Sequence, residues 1–524
     1  MSKKKNLYTV RKKRKFLLPA AIVLFFSIMF VAVISLLPHR GTYLGNTNTL
    51  GVGRSALYPF AFVDENNTLY VLKENNDLSI VDDSVYSALH DYDGGSVYYL
   101  RNNKLYSYSI EKNSRTELCT DVAEFKLMSD RQTIVCTSVD KNIRLYKFST
   151  GKYTGLTQNP FAEVSFSNEN AVGKNHVLFL DNYDPMSEKR TVDLMISTES
   201  GAVTKIAEKI DPTQGFYLSE DDKYVLYYTD KTMHVCDAEG KDVFSIEGGK
   251  ILKFTQQPVL LDPKTNYVSL TEETPFTYFT KETDSGIELY HFKSGKLNKI
   301  DDGIVKIVEN SSTGYCFYTK PSDTSTEEEQ SVDLMMSVSG TASRKIITLP
   351  AESNYIYDEL QGYIYFQKPD ATLSRIYVKN RSYKVIDVAQ TSGALSIYKN
   401  RPFIVYKSPE DSDTFVVLDN NIVERYSENE TRLYGSSTNE YLIFKKNTQG
   451  TQVVSGMTSL DLYNNGNYTR IANSVINDMI YFDKDFTSVL YLTNGRMYEW
   501  KDGVSTEIKS TTNLMYVKPV SVTE

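Results

Sequence analysis

Tryptophan occurs once in 524 residues, cysteine four times and histidine five times. Each scarcity closes off some chemistry. His39, His90, His176, His234 and His291 form no HExxH and no pair at ligand spacing, so a zinc-hydrolase reading has no footing. Cys119, Cys136, Cys236 and Cys316 show no CxxC and no dense framework, which removes a disulfide scaffold. Cys119 and Cys136 are near enough in sequence to meet across neighbouring strands, although four small buried side chains is the simpler reading. There is no G-x-S-x-G elbow and no calcium loop of the D-x-[DN]-x-[DN]-G type. The acidic pairs Asp91/Asp93, Asp181/Asp184 and Asp411/Asp413 read as solvated turns. The expectation is no catalytic residue, no bound metal and no cofactor.

Long apolar runs are also missing, with one exception. Phe16 to Leu37 is 22 residues without a charge, and a helix of that length spans roughly 33 Å, enough for a bilayer core. Eight Lys and Arg side chains precede it within the first fifteen residues, and only His39 and Arg40 follow closely. That asymmetry predicts a cytoplasmic tail (1–15), a single transmembrane helix (16–37), a linker (38–56) and an extracytoplasmic remainder. The run is longer than the apolar core of a cleaved signal and exits through Leu36-Leu37-Pro38 rather than small residues, which favours an uncleaved anchor in the cell membrane. From residue 16 onward the chain holds 50 basic and 66 acidic side chains, a formal −16 that disfavours nucleic acid as a partner.

The remainder is rich in strand signals. Thirty-nine tyrosines and short Val/Ile/Phe/Tyr segments alternate with Asn, Asp, Gly and Ser clusters, and no long helical periodicity interrupts them. Three of these segments align: Asp91 to Leu100, Ser219 to Tyr228 and Asp483 to Leu492. They share an Asp in the third place (Asp93, Asp221, Asp485), then Val, then a tyrosine in Tyr99, Tyr227 and Tyr491. The repeated Asp is expected to set a turn by accepting backbone N–H groups, and the tyrosines to pack. His234 and Cys236 fall in the places of Tyr106 and Tyr108, so that pair reads as packing rather than as a ligand set. Ser436 to Phe444 and Gln361 to Phe366 are weaker copies.

Asp93 and Asp221 are 128 residues apart, three units of about 43, and Asp221 and Asp485 are 264 apart, six units of 44. A period of that length holding four strands is a propeller blade, so the fold expected is an all-β propeller. Ten or eleven units exceed the usual four to eight blades, which predicts two tandem propellers, 57–300 and 301–524, with a boundary between 270 and 330. The acidic stretch Pro321 to Ser331 is one junction candidate, or else a loop inside one blade; a single large propeller is the alternative.

The unit Ser219-Glu220-Asp221-Asp222-Lys223-Tyr224-Val225-Leu226-Tyr227-Tyr228 resembles the repeat of TolB-type and dipeptidyl-peptidase-type propellers. The paired segments Tyr363-Ile364-Tyr365-Phe366 and Arg375-Ile376-Tyr377 are similar to the propeller-like domain related to the low-density-lipoprotein receptor, without its YWTD motif. The resemblance implies the fold. The dipeptidyl-peptidase kind adds a hydrolase domain, but strand-like segments here continue to Met515-Tyr516-Val517. The functional expectation is therefore a non-enzymatic, membrane-anchored module that binds a protein partner at the cell surface as a scaffold or sensor. Cell-wall glycan binding or hydrolysis at a central pocket is the alternative.

Overall fold

The computed structural model describes residues 57–520 apart from 92–93, 129, 158–174, 183–190, 212–214, 220, 253–258, 262–267, 271–276, 312–313, 327–329, 359–361, 380–382, 391, 398–403, 408–413, 420–421, 428–429, 436–439, 450–451, 465–466, 477–478, 484–485 and 518; of residues 391–458 it gives the backbone and the side chain of Leu442. Among the described residues the chain is all-β. Its one helical piece is a 3-10 turn at Glu74–Asn76. No helix among them is long and apolar enough to cross a membrane; the apolar run 16–37 lies outside them.

The strands form a succession of small antiparallel sheets, numbered here along the chain. Sheet 1 holds Phe60–Asp64, Leu69–Leu72 and Leu78–Asp82, and sheet 2 runs from Ser87–Asp91 to Ser114–Thr120. Sheet 3 spans Glu124–Leu127 to Lys152–Gly155, and sheet 4 has three described strands between His176–Asp181 and Val203–Ile210. Sheet 5 extends from Tyr217–Leu218 to Asp242–Glu247 and sheet 6 from Gly249–Ile251 to Lys296–Ile304. Sheets 7 and 8 begin at Lys306–Asn310 and Asn354–Asp358, sheets 9 and 10 at Ser392–Ile397 and Glu430–Gly435, and sheet 11 at Ile480–Phe482. A separate hairpin, Val259–Leu261 with Val268–Leu270, lies in the chain between the first two strands of sheet 6. Sheets 2, 5 and 11 carry the three aligned segments, three and six sheets apart, as the residue spacings require.

Local chemistry explains the strand order. Asn102 and Asn103 both adopt positive φ, as do Asn494 and Gly495. Two such residues give the tight turn whose twist matches that of a hairpin, so Arg101 pairs with Lys104 and Thr493 with Arg496. The first strands of sheets 1 and 2, Phe60–Asp64 and Ser87–Asp91, are buried along their whole length. Fourth strands are mostly exposed, as in Ser114–Thr120 and Val504–Ser510. A strand covered on both faces must be apolar on both, which is why Phe60-Ala61-Phe62-Val63 does not alternate.

The core is a row of clusters, each between consecutive sheets. Ala61, Val63 and Val71 of sheet 1 meet Ala88, Val97 and Tyr99 of sheet 2. Leu180 and Ile196 of sheet 4 meet Leu218 and Val225 of sheet 5. Sheet 6 packs on both sides: Phe279 and Phe292 against Leu226 and Val235 of sheet 5, and Tyr278 and Leu289 against Cys316 and Tyr318 of sheet 7. Among the described residues, sheet 6 thus bridges sheets 5 and 7. Pro321 pairs with Val332 on adjacent strands, so the acidic segment 322–330 is a hairpin connection within sheet 7. Sheet 7 packs on sheet 8, whose first strand adjoins the first strand of sheet 9. Sheet 10 packs on sheet 11.

The last strands return to the beginning. Leu514–Tyr516 pairs with Phe60–Asp64 as the fourth member of sheet 1, with Phe62 opposite Tyr516. Pro519–Val520 then lies parallel to Ser87–Asp91 and makes sheet 2 five-stranded. Leu490, Leu492 and Met497 of sheet 11 pack on Phe60, Phe62 and Tyr516. Sheets 11 and 1 are therefore neighbours as well as the ends of the chain.

Candidate functional site

The three aligned tyrosines occupy one place in three sheets. Tyr99 pairs with Tyr106, Tyr227 with His234 and Tyr491 with Tyr498. In each pair the rings stack nearly parallel, with centroids 5.3, 5.1 and 5.6 Å apart. Two places on, Tyr108, Cys236 and Trp500 face Val97, Val225 and Val489 and are buried. His234 is further held between Thr229 Oγ1 at 2.6 Å and Ser245 Oγ at 2.8 Å.

At the turns, the first place of the motif supplies acceptors as well. Asp483 is buried and its carboxylate accepts the N–H groups of Thr487 and Ser488, both at 2.9 Å. Asp91 accepts from Gly94 N at 3.0 Å. In sheet 5 the same place is Ser219, whose Oγ accepts from Lys223 N at 3.1 Å and Tyr224 N at 2.9 Å. Asp221 joins this knot: it accepts Lys223 N at 3.3 Å and the Ser219 hydroxyl at 2.9 Å, and pairs with Lys223 Nζ at 2.9 Å, with both side chains half-exposed or more. Asp93 and Asp485 lie outside the described residues. We expect Asp483→Ala to cost about 1–2 kcal/mol, since two N–H groups next to a buried strand lose their acceptor. Asp221→Ala should cost under about 0.5 kcal/mol. Urea midpoints of the two variants give the order directly.

A polar clasp between consecutive sheets was not anticipated. Asp82, at the end of sheet 1, accepts from the Tyr99 hydroxyl of sheet 2 at 2.9 Å and pairs with Arg101 and with Arg115, the latter at 2.7 Å. Asp301, on the last strand of sheet 6, accepts from Tyr318 of sheet 7 at 2.9 Å and pairs with Lys320 at 2.7 Å. The offsets are 17 residues to the tyrosine and 19 to the cation in both places. That spacing, D-x16-Y-x-[KR], was available in the sequence. A carboxylate held by a tyrosine and a cation of the next sheet ties the two sheets together.

A third polar group joins the ends of the chain. Asp64 is buried, accepts Asn66 N and Thr68 N at 3.0 Å each, and pairs with Lys509 Nζ of sheet 11 at 3.1 Å. Lys509 also lies over the Tyr70 ring, 4.5 Å from its centroid. Tyr58 donates to Glu499, and Thr511 to Glu65.

These groups set the acid response. Burial pushes the Asp64 and Asp301 carboxyls up, but the bonds they accept, including those from Lys509 and Lys320, win and hold both below the ordinary aspartate range. Burial lowers His234 and His291 below the usual imidazole value. A depressed folded pKa means stability that is present above the unfolded value and lost as pH falls toward the folded one. Two losses should follow on acidification, one starting near pH ~6.5 from the histidines and one below pH ~4 from the aspartates. Melting temperature measured from pH 8 to pH 3 should show both, and His291→Gln should shrink the first.

Of the acidic pairs, Asp91 and Asp181 are buried at strand ends, whereas Asp93, Asp184, Asp411 and Asp413 lie outside the described residues. No group of three or more His, Cys, Asp or Glu side chains is placed to hold a metal ion among the described residues. All four cysteines are buried free thiols.

Neither a family model nor a curated protein sequence matches the chain. Solved structures do resemble it. A crystal structure of a eukaryotic initiation factor aligns over 88% of this chain and 98% of its own at 8% identity and a TM-score of 0.39. Dipeptidyl peptidase 4 of Porphyromonas gingivalis aligns over 71% of this chain and 65% of its own at 11% identity and a TM-score of 0.33. The β-propeller domain of Cps50 (Swd1) from Myceliophteria thermophila aligns over 66% of this chain and 96% of its own at 9% identity and a TM-score of 0.22. At such identities and scores nothing about activity transfers. Among the described residues the chain is all-β and built mostly of four-stranded antiparallel sheets of the kind that serve as propeller blades.

Proposed function

We propose that this chain is a membrane-anchored, non-enzymatic β-propeller that binds a protein partner outside the cytoplasm as a scaffold or sensor. The observation that carries it is the shared first sheet. Leu514–Tyr516 joins Phe60–Asp64, so the ends of the strand series are tied to one another rather than left open. In this reading the sheets close into one ring, the alternative to two tandem propellers; sheet 6 packed on both neighbours supports it. In the same reading the apolar run 16–37 anchors that ring in the cell membrane with the basic tail inside. A rigid ring held at a fixed height presents loops from many blades together, which suits protein recognition. Several charged side chains hold neighbouring sheets together, as in the Asp82, Asp301 and Asp64 clasps. The formal −16 beyond the tail argues against nucleic acid.

The test is affinity capture with the full-length chain, tagged at its N-terminus, from detergent-solubilised membranes and from wall fragments. One protein recovered reproducibly, and lost when loops on one face are changed, supports the reading. Recovery of glycan without protein overturns it.

A further inference from the structure

The four cysteines are divided among three apolar clusters, and only one cluster contains two of them. Cys236 packs between sheets 4 and 5, and Cys316 between sheets 6 and 7. Cys119, on the last strand of sheet 2, and Cys136, on the second strand of sheet 3, enter the same cluster from facing sheets, among Leu105, Phe125 and Tyr146. We infer that Cys119 and Cys136 are a redox-active pair that closes into a disulfide clamping sheet 2 to sheet 3.

The surroundings favour such a clamp. Tyr153 of sheet 3 donates to the Thr120 carbonyl of sheet 2 at 2.7 Å, one residue from Cys119, so the sheets are already pinned there. Arg144 pairs with Cys136 across the strands, bonds to Asp121 just past Cys119, and lies 5.1 Å from the Tyr153 ring centroid. Burial pushes the Cys119 thiol up to about 11 and the Cys136 thiol up to about 12, and the second is raised further by Cys119 itself. The two thiols enter one apolar cluster from facing sheets, and neither is reactive while the sheets stay closed.

The reaction needs a small-molecule disulfide as oxidant. Cys119, the more accessible, loses its proton and attacks one sulfur of the oxidant, whose first half leaves as a thiolate and takes up that proton. Cys136 then loses its proton and displaces the second half from Cys119, forming the Cys119–Cys136 bond. Two protein thiols are oxidised and one disulfide is reduced to two thiols. An oxidising space outside the membrane supplies such partners.

The experiment uses the purified full-length chain in detergent with glutathione disulfide, in native buffer and at a urea concentration just below the unfolding transition. Free thiols are then alkylated under denaturing conditions and the peptides mapped by mass. The expected product has two alkylated cysteines, Cys236 and Cys316, and a peptide cross-linked between Cys119 and Cys136. It should melt several degrees higher than the reduced chain, and reductant should return it. Cys119→Ser and Cys136→Ser should each prevent the cross-link. Four alkylated thiols under both conditions, a stable glutathione adduct at Cys119, or a cross-link to Cys236 or Cys316 would overturn the inference.

Discussion

A chain ending at Asn513 should lose the cooperative unfolding of its first two sheets. The truncation removes the strand that completes sheet 1 and the one that lies beside the first strand of sheet 2. Leu514, Tyr516 and Val517 are buried, and each such side chain contributes about 1.5–3 kcal/mol. Their removal also uncovers Phe60, which stacks on Tyr516 with ring centroids 4.8 Å apart. The Val517 N–H that bonds to the Ala61 carbonyl at 3.0 Å goes with them. The sum, about 4.5–9 kcal/mol, is comparable to the whole stability of an ordinary domain. Urea unfolding of the shortened chain should begin at much lower denaturant, with chymotrypsin cutting first between residues 57 and 120. A synthetic peptide covering 513–524 should restore part of the loss. An unchanged midpoint would mean that the ends of the chain do not hold the fold together.

Gly340→Ala should cost about 2–4 kcal/mol, from two sources that can be separated. Gly340 has φ +73°, where an alanine is strained. A Cβ built there would also stand 2.1 Å from His291 Nδ1 and 2.4 Å from its Cγ. His291 cannot easily yield, because it is buried and packed edge-on against Tyr278, with centroids 5.0 Å apart. Tyr278 in turn accepts the Gly340 N–H at 3.1 Å and donates to the Gly314 carbonyl at 3.1 Å. One added methyl thus presses on the contact between sheets 6 and 7. Combined with His291→Ala, the steric share should disappear and the backbone share remain. Thermal melts of the two single variants and the double should therefore give a coupling above about 1 kcal/mol. Simple additivity would show that the imidazole moves aside.

Much of the architecture was legible because a blade repeats. The offsets of 128 and 264 residues place the aligned segments in sheets 2, 5 and 11, and 43 residues per unit matches eleven sheets. The stacked tyrosines were legible for the same reason, since register fixes who faces whom. The turn residue was harder to see. The shared Asp in the third place accepts a backbone N–H where it is described, at Asp221, but the first place, as Asp483, Asp91 or Ser219, supplies an acceptor too. Aspartate and serine do the same job there, so matching identities does not reveal it. Asp82 and Asp301 were missed because each clasp spans two units, and a search within one unit cannot find it. By composition 321–331 read equally as a junction or as a loop within one blade, and Pro321 and Val332 are partners on adjacent strands. Charge and serine content describe a solvated loop equally well in either setting.

The shared first sheet also has a consequence in time. Phe62 is made early and its partner Tyr516 among the last residues, 454 positions later. At about 5–20 residues per second the first strands wait roughly 25–90 s before their neighbour exists. Throughout that interval Phe60–Asp64 offers a bare, apolar edge to any passing extended chain. Biogenesis should therefore depend on something that shields this edge, and strand exchange between two nascent copies is the accident the cell has to prevent.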